Sequence, residues 1–365
     1  MNARRVASIV EAPGCVRRTV LDAAGVDTTF LVQQLGFKRD RQSPLAISRA
    51  AQFEALLERD GRAQLIQLAR RHLDLELSDV RVKDLSVAGT RSQVRIAADT
   101  RRTKLTKQEL GHILRREPGA ANLLVKPLTT LTIGNLEAQL EQDVLAFAEQ
   151  GALHVVAIRN FYMTRDDADP TLVGQAARET AVHVLSLQRM AEALGCDRAQ
   201  ISTKVLLVLP RDLLFVPTGV VIDVADEVEH LEQAIGRIGD IEDLAESLDL
   251  IALPPPPETL SSEDDHEQFR GEVRGALRAM PMRFGDGCVS CAMFRSCRQE
   301  AEAERSTARL GSVVAGLCGE TGSIDAVLDL VEGRRAPQSI SEAAISDVLQ
   351  RASRAIERAE IAGVA

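Results

Sequence analysis

The cysteines constrain what this chain can fold into more than any other feature. Cys288-Val-Ser-Cys291-Ala-Met-Phe-Arg-Ser-Cys297 places three thiols close together near the C-terminus, and Cys15 stands alone near the N-terminus. Two thiolates three residues apart can grip one metal centre, and a third after a five-residue spacer can fold back onto it. A distant fourth would close the site and tie the two chain ends together. At 365 residues the chain is too large to need a disulfide scaffold. Clustered thiols then point to metal binding or chemistry.

The length suits two average domains, or one large domain with accessories, and 45% hydrophobic residues allow a sizeable core. Aromatics are few: no Trp, one Tyr and nine Phe. That argues against an aromatic platform for stacking bases. No run of 18 apolar residues appears, so no transmembrane helix and no membrane partner are expected. Met1-Asn-Ala-Arg-Arg-Val-Ala-Ser carries basic residues without a long apolar core, so no secretory signal is expected and the location expected is cytoplasmic.

The net charge of −9 hides an asymmetry. Residues 1–126 carry 23 Lys and Arg against 14 Asp and Glu, whereas Arg237 is the only Lys or Arg between Asp223 and Asp265. A basic N-terminal third can face nucleic acid despite an acidic whole, because the local field governs association. The plainer account is an Arg-rich surface that reflects coding bias.

Hydrophobic periodicity predicts helices over residues 14–36 and 44–73, the second starting at Ser43-Pro44. Another helix is expected near Thr103, with Thr106 and Glu109 at capping-box spacing. Leu123–Ile133 reads as a strand, and Asp143–Phe147 with His154–Ile158 reads as a hairpin through Glu149-Gln150-Gly151. A long amphipathic helix from Thr171 to Leu194, ended by Gly195, precedes a buried strand at Lys204–Leu209. The expected fold class is therefore α/β. Residues 1–120 form a mainly helical region, 121–222 an α/β core, 223–300 an acidic helix, a Pro254–Pro257 break and the cysteine segment, and 301–365 small helices.

Buried free cysteines account well for Cys196 and Cys318, each of which stands alone. Gly and polar neighbours make that account weak for the Cys288–Cys297 group. A zinc site prefers a nearby second knuckle, and His230 and His266 lie at unpersuasive spacings. An iron–sulfur cluster held by Cys15, Cys288, Cys291 and Cys297 fits the pattern best.

Cys15-Val-Arg17-Arg18-Thr-Val-Leu21 together with the C-x2-C-x5-C run resembles the iron–sulfur PD-(D/E)xK exonucleases over roughly residues 10–300. That family includes the CRISPR adaptation exonucleases and the nuclease domain of AddB-type helicase–nucleases. The resemblance implies a restriction-endonuclease-like core. It implies helical N- and C-terminal regions closed by a structural four-cysteine 4Fe–4S cluster. It also implies acidic residues that hold Mg²⁺ or Mn²⁺ beside a scissile phosphate. The family motifs fall, in order, on Glu54 in Arg49–Glu54, on Asp143, on Val155–Asn160, and on Glu179 and His183.

The third motif departs from the family at both key positions. Ala157 stands where a carboxylate is needed and cannot ligate a cation, and Arg159 stands where the lysine belongs. Glu179 and His183 replace the family's glutamine and tyrosine. Asp166, Asp167 and Asp169 lie just beyond the strand, as relocated ligands or as a solvated turn. Glu54 reads equally as a surface acid, and His183 as a packed core histidine.

The leading expectation is a nuclease-like, iron–sulfur DNA-binding protein that has lost ordinary cleavage. It would bind a DNA end or a single strand through Arg-rich surfaces and Arg159, in a repair, recombination or anti-phage (antiviral defence) assembly. One alternative is an active metal-dependent exonuclease using Glu54, Asp143 and one of Asp166, Asp167 or Asp169. The other is a non-enzymatic scaffold for a helicase or another DNA-processing protein, contacting a basic partner through residues 223–265.

Overall fold

The computed structural model describes residues 3–11, 15–24, 26–37, 44–75, 79–86, 92–133, 136–147, 151–164, 167–211, 215–237, 263–285, 287–288, 291–318 and 321–361. The chain divides into two compact units. One holds Met1–Val10 and Asp40–Leu244, the other Glu11–Arg39 and Ala245–Ala365. The N-terminal segment around Cys15 therefore folds with the C-terminal part of the chain.

The larger unit is a mixed α/β layer structure. Its strands are β1 (Val82–Asp84), β2 (Leu123–Val125), β3 (Leu128–Ile133), β4 (Leu136–Glu141), β5 (Val144–Phe147), β6 (Leu153–Ile158), β7 (Met163–Thr164), β8 (Asp167–Ala168), β9 (Lys204–Arg211) and β10 (Val216–Asp223). The main sheet runs β1-β2-β5-β6-β9-β7-β8, with β10 antiparallel to β9 and a separate β3–β4 hairpin. β6 and β9 pair in parallel, joined by the crossover helix α7 (Pro170–Ala193), so β9 reads as a continuous apolar run buried on both faces.

Strand side chains alternate between two cores, as the pleat requires. Leu124, Leu145, Val155, Ala157, Val205, Leu207 and Leu209 face one apolar cluster. That cluster is shared with α1 (Ala3–Glu11), α6 (Ser92–Leu114), the β3–β4 hairpin, α7 and α8 (Ala225–Arg237). Leu123, Val125, Val144, Val156, Leu206 and Val208 face the other, with Phe53 and Leu57 of α4 (Pro44–Glu58) and Leu65 and Ala69 of α5 (Ala63–Leu73).

α7 matches its expected bounds closely. Asp169 caps it by accepting from the Thr171 N–H at 2.8 Å, Pro170 occupies its first turn, and Gly195 follows at φ +71°.

Several expected boundaries are corrected. The 14–36 helix is two helices, α2 (Val16–Ala23) and α3 (Thr28–Gln34), with Asp27 capping the second. The helical region expected over 44–73 keeps its outer bounds as α4 and α5, joined by a turn at Arg59–Arg62 where Asp60, Gly61 and Arg62 have positive φ. α6 begins at Ser92 rather than near Thr103. Thr106 is no cap: it lies buried within the helix, and its Oγ1 accepts from the Leu128 N–H at 3.0 Å. The 123–133 strand is split at Lys126-Pro127 because Lys126 adopts φ +50° and the ring of Pro127 removes a ladder donor.

The smaller unit is helical: α2, α3, α9 (Glu263–Arg278), α10 (Phe294–Glu304), α11 (Ser312–Cys318), α12 (Ile324–Val331) and α13 (Ile340–Ile361). At 22 residues, α13 is longer than the small helices expected there. Residues 238–250, the proline break and Ser261-Ser262 lie outside the described residues, as do Glu149 and Gln150 of the expected hairpin turn. Among the described residues no helix is long and apolar enough to cross a membrane.

Candidate functional site

Asp143 lies just before β5, opposite the end of β6, and its carboxylate is enclosed by cations. Oδ1 receives Lys126 Nζ at 3.1 Å, while Oδ2 receives the Ile158 N–H at 2.9 Å and Arg159 Nη1 at 3.2 Å. The Asp143 carbonyl also accepts the Lys126 N–H at 2.9 Å, which holds Lys126 in its left-handed conformation. Arg159 passes the charge on to Glu179 Oε2 at 3.5 Å, and Glu179 meets Gln175 at 3.1 Å and Arg4 of α1 at 4.0 Å. The result is an alternating chain of charge: Lys126, Asp143, Arg159, Glu179, Arg4. Burial alone would lower the Lys126 pKa, but the Asp143 carboxylate and its hydrogen bond, aided by Glu54 and Glu141, raise it.

The sequence-predicted residues are thus brought together in part. Asp143, Arg159 and Glu179 form one connected network. Glu54 is exposed on α4 and acts on it only through its field at Lys126. Ala157 is 2% exposed within the apolar cluster shared with α7. His183 lies buried on α7 with its Nδ1 unpartnered, and Arg159 Nε is likewise buried without a partner. Burial first, and then the Arg159 charge, lower the His183 pKa to about 4, against the opposing Asp143 carboxylate. His183 is therefore neutral near pH 7. Asp166 and the side chain of Asp167 lie outside the described residues, and Asp169 serves as the α7 cap.

Lys126 and Arg4 were absent from the sequence-based site. The only local signal for Lys126 was a lone cation between an apolar strand and a proline; Arg4 offered none.

A second constellation lies in the smaller unit. Cys15, Cys291 and Cys297 share one apolar cluster with Leu21, Leu277, Met280 and Met293. Burial raises the Cys291 thiol, Arg18 and the Met293 backbone oppose, and Cys288 and Cys15 add to the rise. Burial pushes Cys297 up to about 11, against the charge and hydrogen bond of Arg17, with Cys291 and Cys15 adding again. Cys291 thus feels the charge of Cys288 and Cys15, and Cys297 that of Cys291 and Cys15. No group of three or more His, Cys, Asp or Glu among the described residues is arranged to hold a metal ion.

Donors already point at the sulfurs. Arg17 Nη1 donates to Cys297 Sγ at 3.4 Å, and the Gly285 N–H donates to Cys288 Sγ at 3.4 Å. Cys318 and Cys196 take no part: Cys318 lies buried at the end of α11, and Cys196 follows α7 in the larger unit.

Arg17 organises this region. It is 1% exposed, and its five N–H donors are all used: Nε to Met280 O at 3.2 Å, Nη1 to Cys297 Sγ and to Glu300 Oε2 at 2.8 Å, Nη2 to Leu277 O at 2.7 Å and to Glu300 Oε1 at 2.9 Å. It thereby caps the C-terminal end of α9 and docks the Cys15 segment against α10. Arg18 donates to Gly287 O at 2.7 Å, next to Cys288.

No family model matches this chain, and no curated protein matches it. The solved structure described as "Crystal structure of SSO0001" is similar at 12% identity over 40% of this chain and 87% of that one, with a TM-score of 0.17, a likeness too slight to carry any argument.

Proposed function

We propose that this chain is a nuclease-like, iron–sulfur DNA-binding protein of a DNA repair, recombination or anti-phage assembly, in which a metal-dependent cleavage site has become an internal ion-pair network. The observation that carries this reading is the enclosure of Asp143. A carboxylate that serves a divalent cation must leave oxygen lone pairs open to it. Here Lys126, Arg159 and the Ile158 N–H donate to both oxygens and take three of roughly four acceptor sites, and the position where the resemblance needs a second carboxylate is a buried alanine. The two side-chain cations on Asp143 compete with a divalent ion for its oxygens, and they cannot activate water as a metal does.

DNA contact is supported by free positive charge in the same unit. Arg101, Lys104 and Lys107 are exposed at helical spacing along α6. Among the described residues they make no ion pair.

The donor chemistry of the smaller unit supports a 4Fe–4S cluster, with free thiols at Cys15, Cys288, Cys291 and Cys297, an apolar cluster around three of them and hydrogen-bond donors on two sulfurs, although the described residues do not gather the thiols into a ligand group. Cys15, Cys288, Cys291 and Cys297 would hold it. When bound, the cluster would supply a covalent closure of the unit. Arg17 and Arg18 hold the Cys15 segment in place through their contacts with Leu277, Met280, Gly287 and Glu300.

The test uses anaerobically purified full-length protein with end-labelled single- and double-stranded DNA, with and without Mg²⁺ or Mn²⁺. Expected is salt-dependent binding with no cleavage under either metal. Metal-dependent cleavage that Asp143→Ala abolishes would overturn the reading.

A further inference from the structure

Arg49 and Arg17 are used in opposite ways. All five donors of Arg17 are satisfied within the protein. Among the described residues neither a hydrogen bond nor an ion pair reaches the Arg49 guanidinium, and its Nε is buried without a partner. Yet this side chain is not loose. Its guanidinium carbon lies 5.0 Å from the ring centroid of Tyr162 and 5.0 Å from that of Phe215. Phe215 in turn stacks on Phe53 with centroids 6.4 Å apart and planes 26° from parallel. Phe53, 1% exposed, anchors this column in the core beneath α4.

The arrangement is costly unless something completes it. Phe215 is held at φ +57°, a left-handed conformation that a bulky residue adopts only under strain. Two ring contacts compensate part of the lost hydration of the cation. They leave the in-plane edge of the fork, where its donors point, without an acceptor. A planar, immobilised fork with unused donors matches an oxyanion that presents two oxygens at once. The part of this same unit up to Lys126, residues 1–10 and 40–126, carries 19 Lys and Arg against 11 Asp and Glu, which favours an anionic ligand over a cationic or neutral one.

We propose that Arg49, stacked against Tyr162 and Phe215, is a receptor for a backbone phosphodiester of DNA, the contact that sets where the strand enters this unit. The proposal rests on the DNA-binding reading above and names a residue for it. The rings serve the guanidinium rather than a base, so the contact is independent of sequence.

The protein supplies its own reporter. Tyr162 is the sole tyrosine and there is no tryptophan, so tyrosine emission from the native chain comes from this site alone. The probe is an abasic oligodeoxyribose phosphate, which carries phosphodiesters but no absorbing base. Its addition is expected to change Tyr162 emission saturably. Arg49→Gln is expected to abolish that response, weaken single-stranded DNA binding about tenfold, and lower the slope of log affinity against log salt by about 0.7, the share of one phosphate on a single strand. Arg49→Lys, which keeps the charge but not the planar fork, is expected to fall between.

A well-folded Arg49→Gln protein with unchanged affinity, slope and emission response would overturn the proposal. Saturation by inorganic phosphate alone, with displacement of the abasic oligomer, would also overturn it and assign the site to free phosphate. If the wild type binds no DNA, the proposed function fails. A Tyr162 response to the abasic probe that Arg49→Gln removes would then still show the phosphodiester site.

Discussion

Replacing Arg17 by methionine is expected to cost the smaller unit about 3 kcal/mol. Breaking a buried ion pair by deleting one partner costs about 3–5 kcal/mol, because the remaining charge stays uncompensated. The Arg17 side chain is 2% exposed and that of Glu300 17%, so Glu300 regains some water when its partner goes and the lower end of the range applies. Leu277 O and Met280 O lose their donor at the same time, at the end of a helix where carbonyls are already short of partners.

For a unit of this size each kcal/mol moves the melting temperature by about 2–4 °C, so a downward shift of about 6–12 °C is expected. The assay is anaerobic thermal unfolding of the metal-free full-length protein, followed by helical circular dichroism, so that no bound group contributes. Arg17→Met with Glu300→Leu removes both charges, and that double variant should recover a large part of the loss. A single variant within about 1 kcal/mol of wild type, or a double variant worse than the sum of the singles, would refute the argument that the pair docks the Cys15 segment.

His183 provides a pH test. Its folded pKa of about 4 lies below the unfolded value, so the unfolded chain binds the proton first and the native state loses stability as pH falls from about 6.5 toward 4. Urea unfolding of wild type against His183→Leu should show a difference that changes by about 3 kcal/mol across that window, and a pH-independent difference would contradict a buried neutral imidazole. Cys291→Ser should remove a brown iron–sulfur absorbance from anaerobic preparations while Cys318→Ser keeps it; equal spectra from both would deny these thiols the ligand role. Asp143→Asn should raise DNA affinity severalfold, since it frees Lys126 and Arg159 from a carboxylate, and binding that instead collapses with Mg²⁺ dependence would mark Asp143 as a metal ligand. Thr129→Val should cost about 1–3 kcal/mol in denaturant melts, because Thr129 Oγ1 joins Gln142 Nε2 at 3.1 Å to Ser186 Oγ at 2.9 Å inside the core, and a neutral result would mean that water replaces it.

Periodicity exposed the elements whose burial is one-sided or complete over many residues. α7 was legible because Asp169-Pro170 and Gly195 punctuate a long apolar helix. β9 was legible because a parallel strand covered on both faces needs apolar side chains at every position. The errors fell where backbone geometry departs locally from the pattern. At Lys126 a left-handed residue divides two strands whose composition is continuous. At Arg59–Arg62 a reversal breaks a helical pattern that the apolar spacing carries through. Thr106 and Glu109 had the spacing of a cap, yet α6 had already begun.

The sequence by itself determined which chemical groups this protein possesses: its grouped thiols, a carboxylate at Asp143 and an alanine at position 157, where the proposed nuclease resemblance would place a second acid. Those are facts of covalent structure, and no packing can supply a missing carboxylate. Only the tertiary structure decided which groups meet. Cys15 and Cys297 share an apolar cluster because Arg17 docks on the end of α9. Asp143 is neutralised by Lys126 and Arg159 because β5 pairs with both β2 and β6. Arg49 stands between two rings that lie far from it in the chain. Each pairing depends on strand register and helix docking, which free energy summed over the whole core selects and local sequence does not encode.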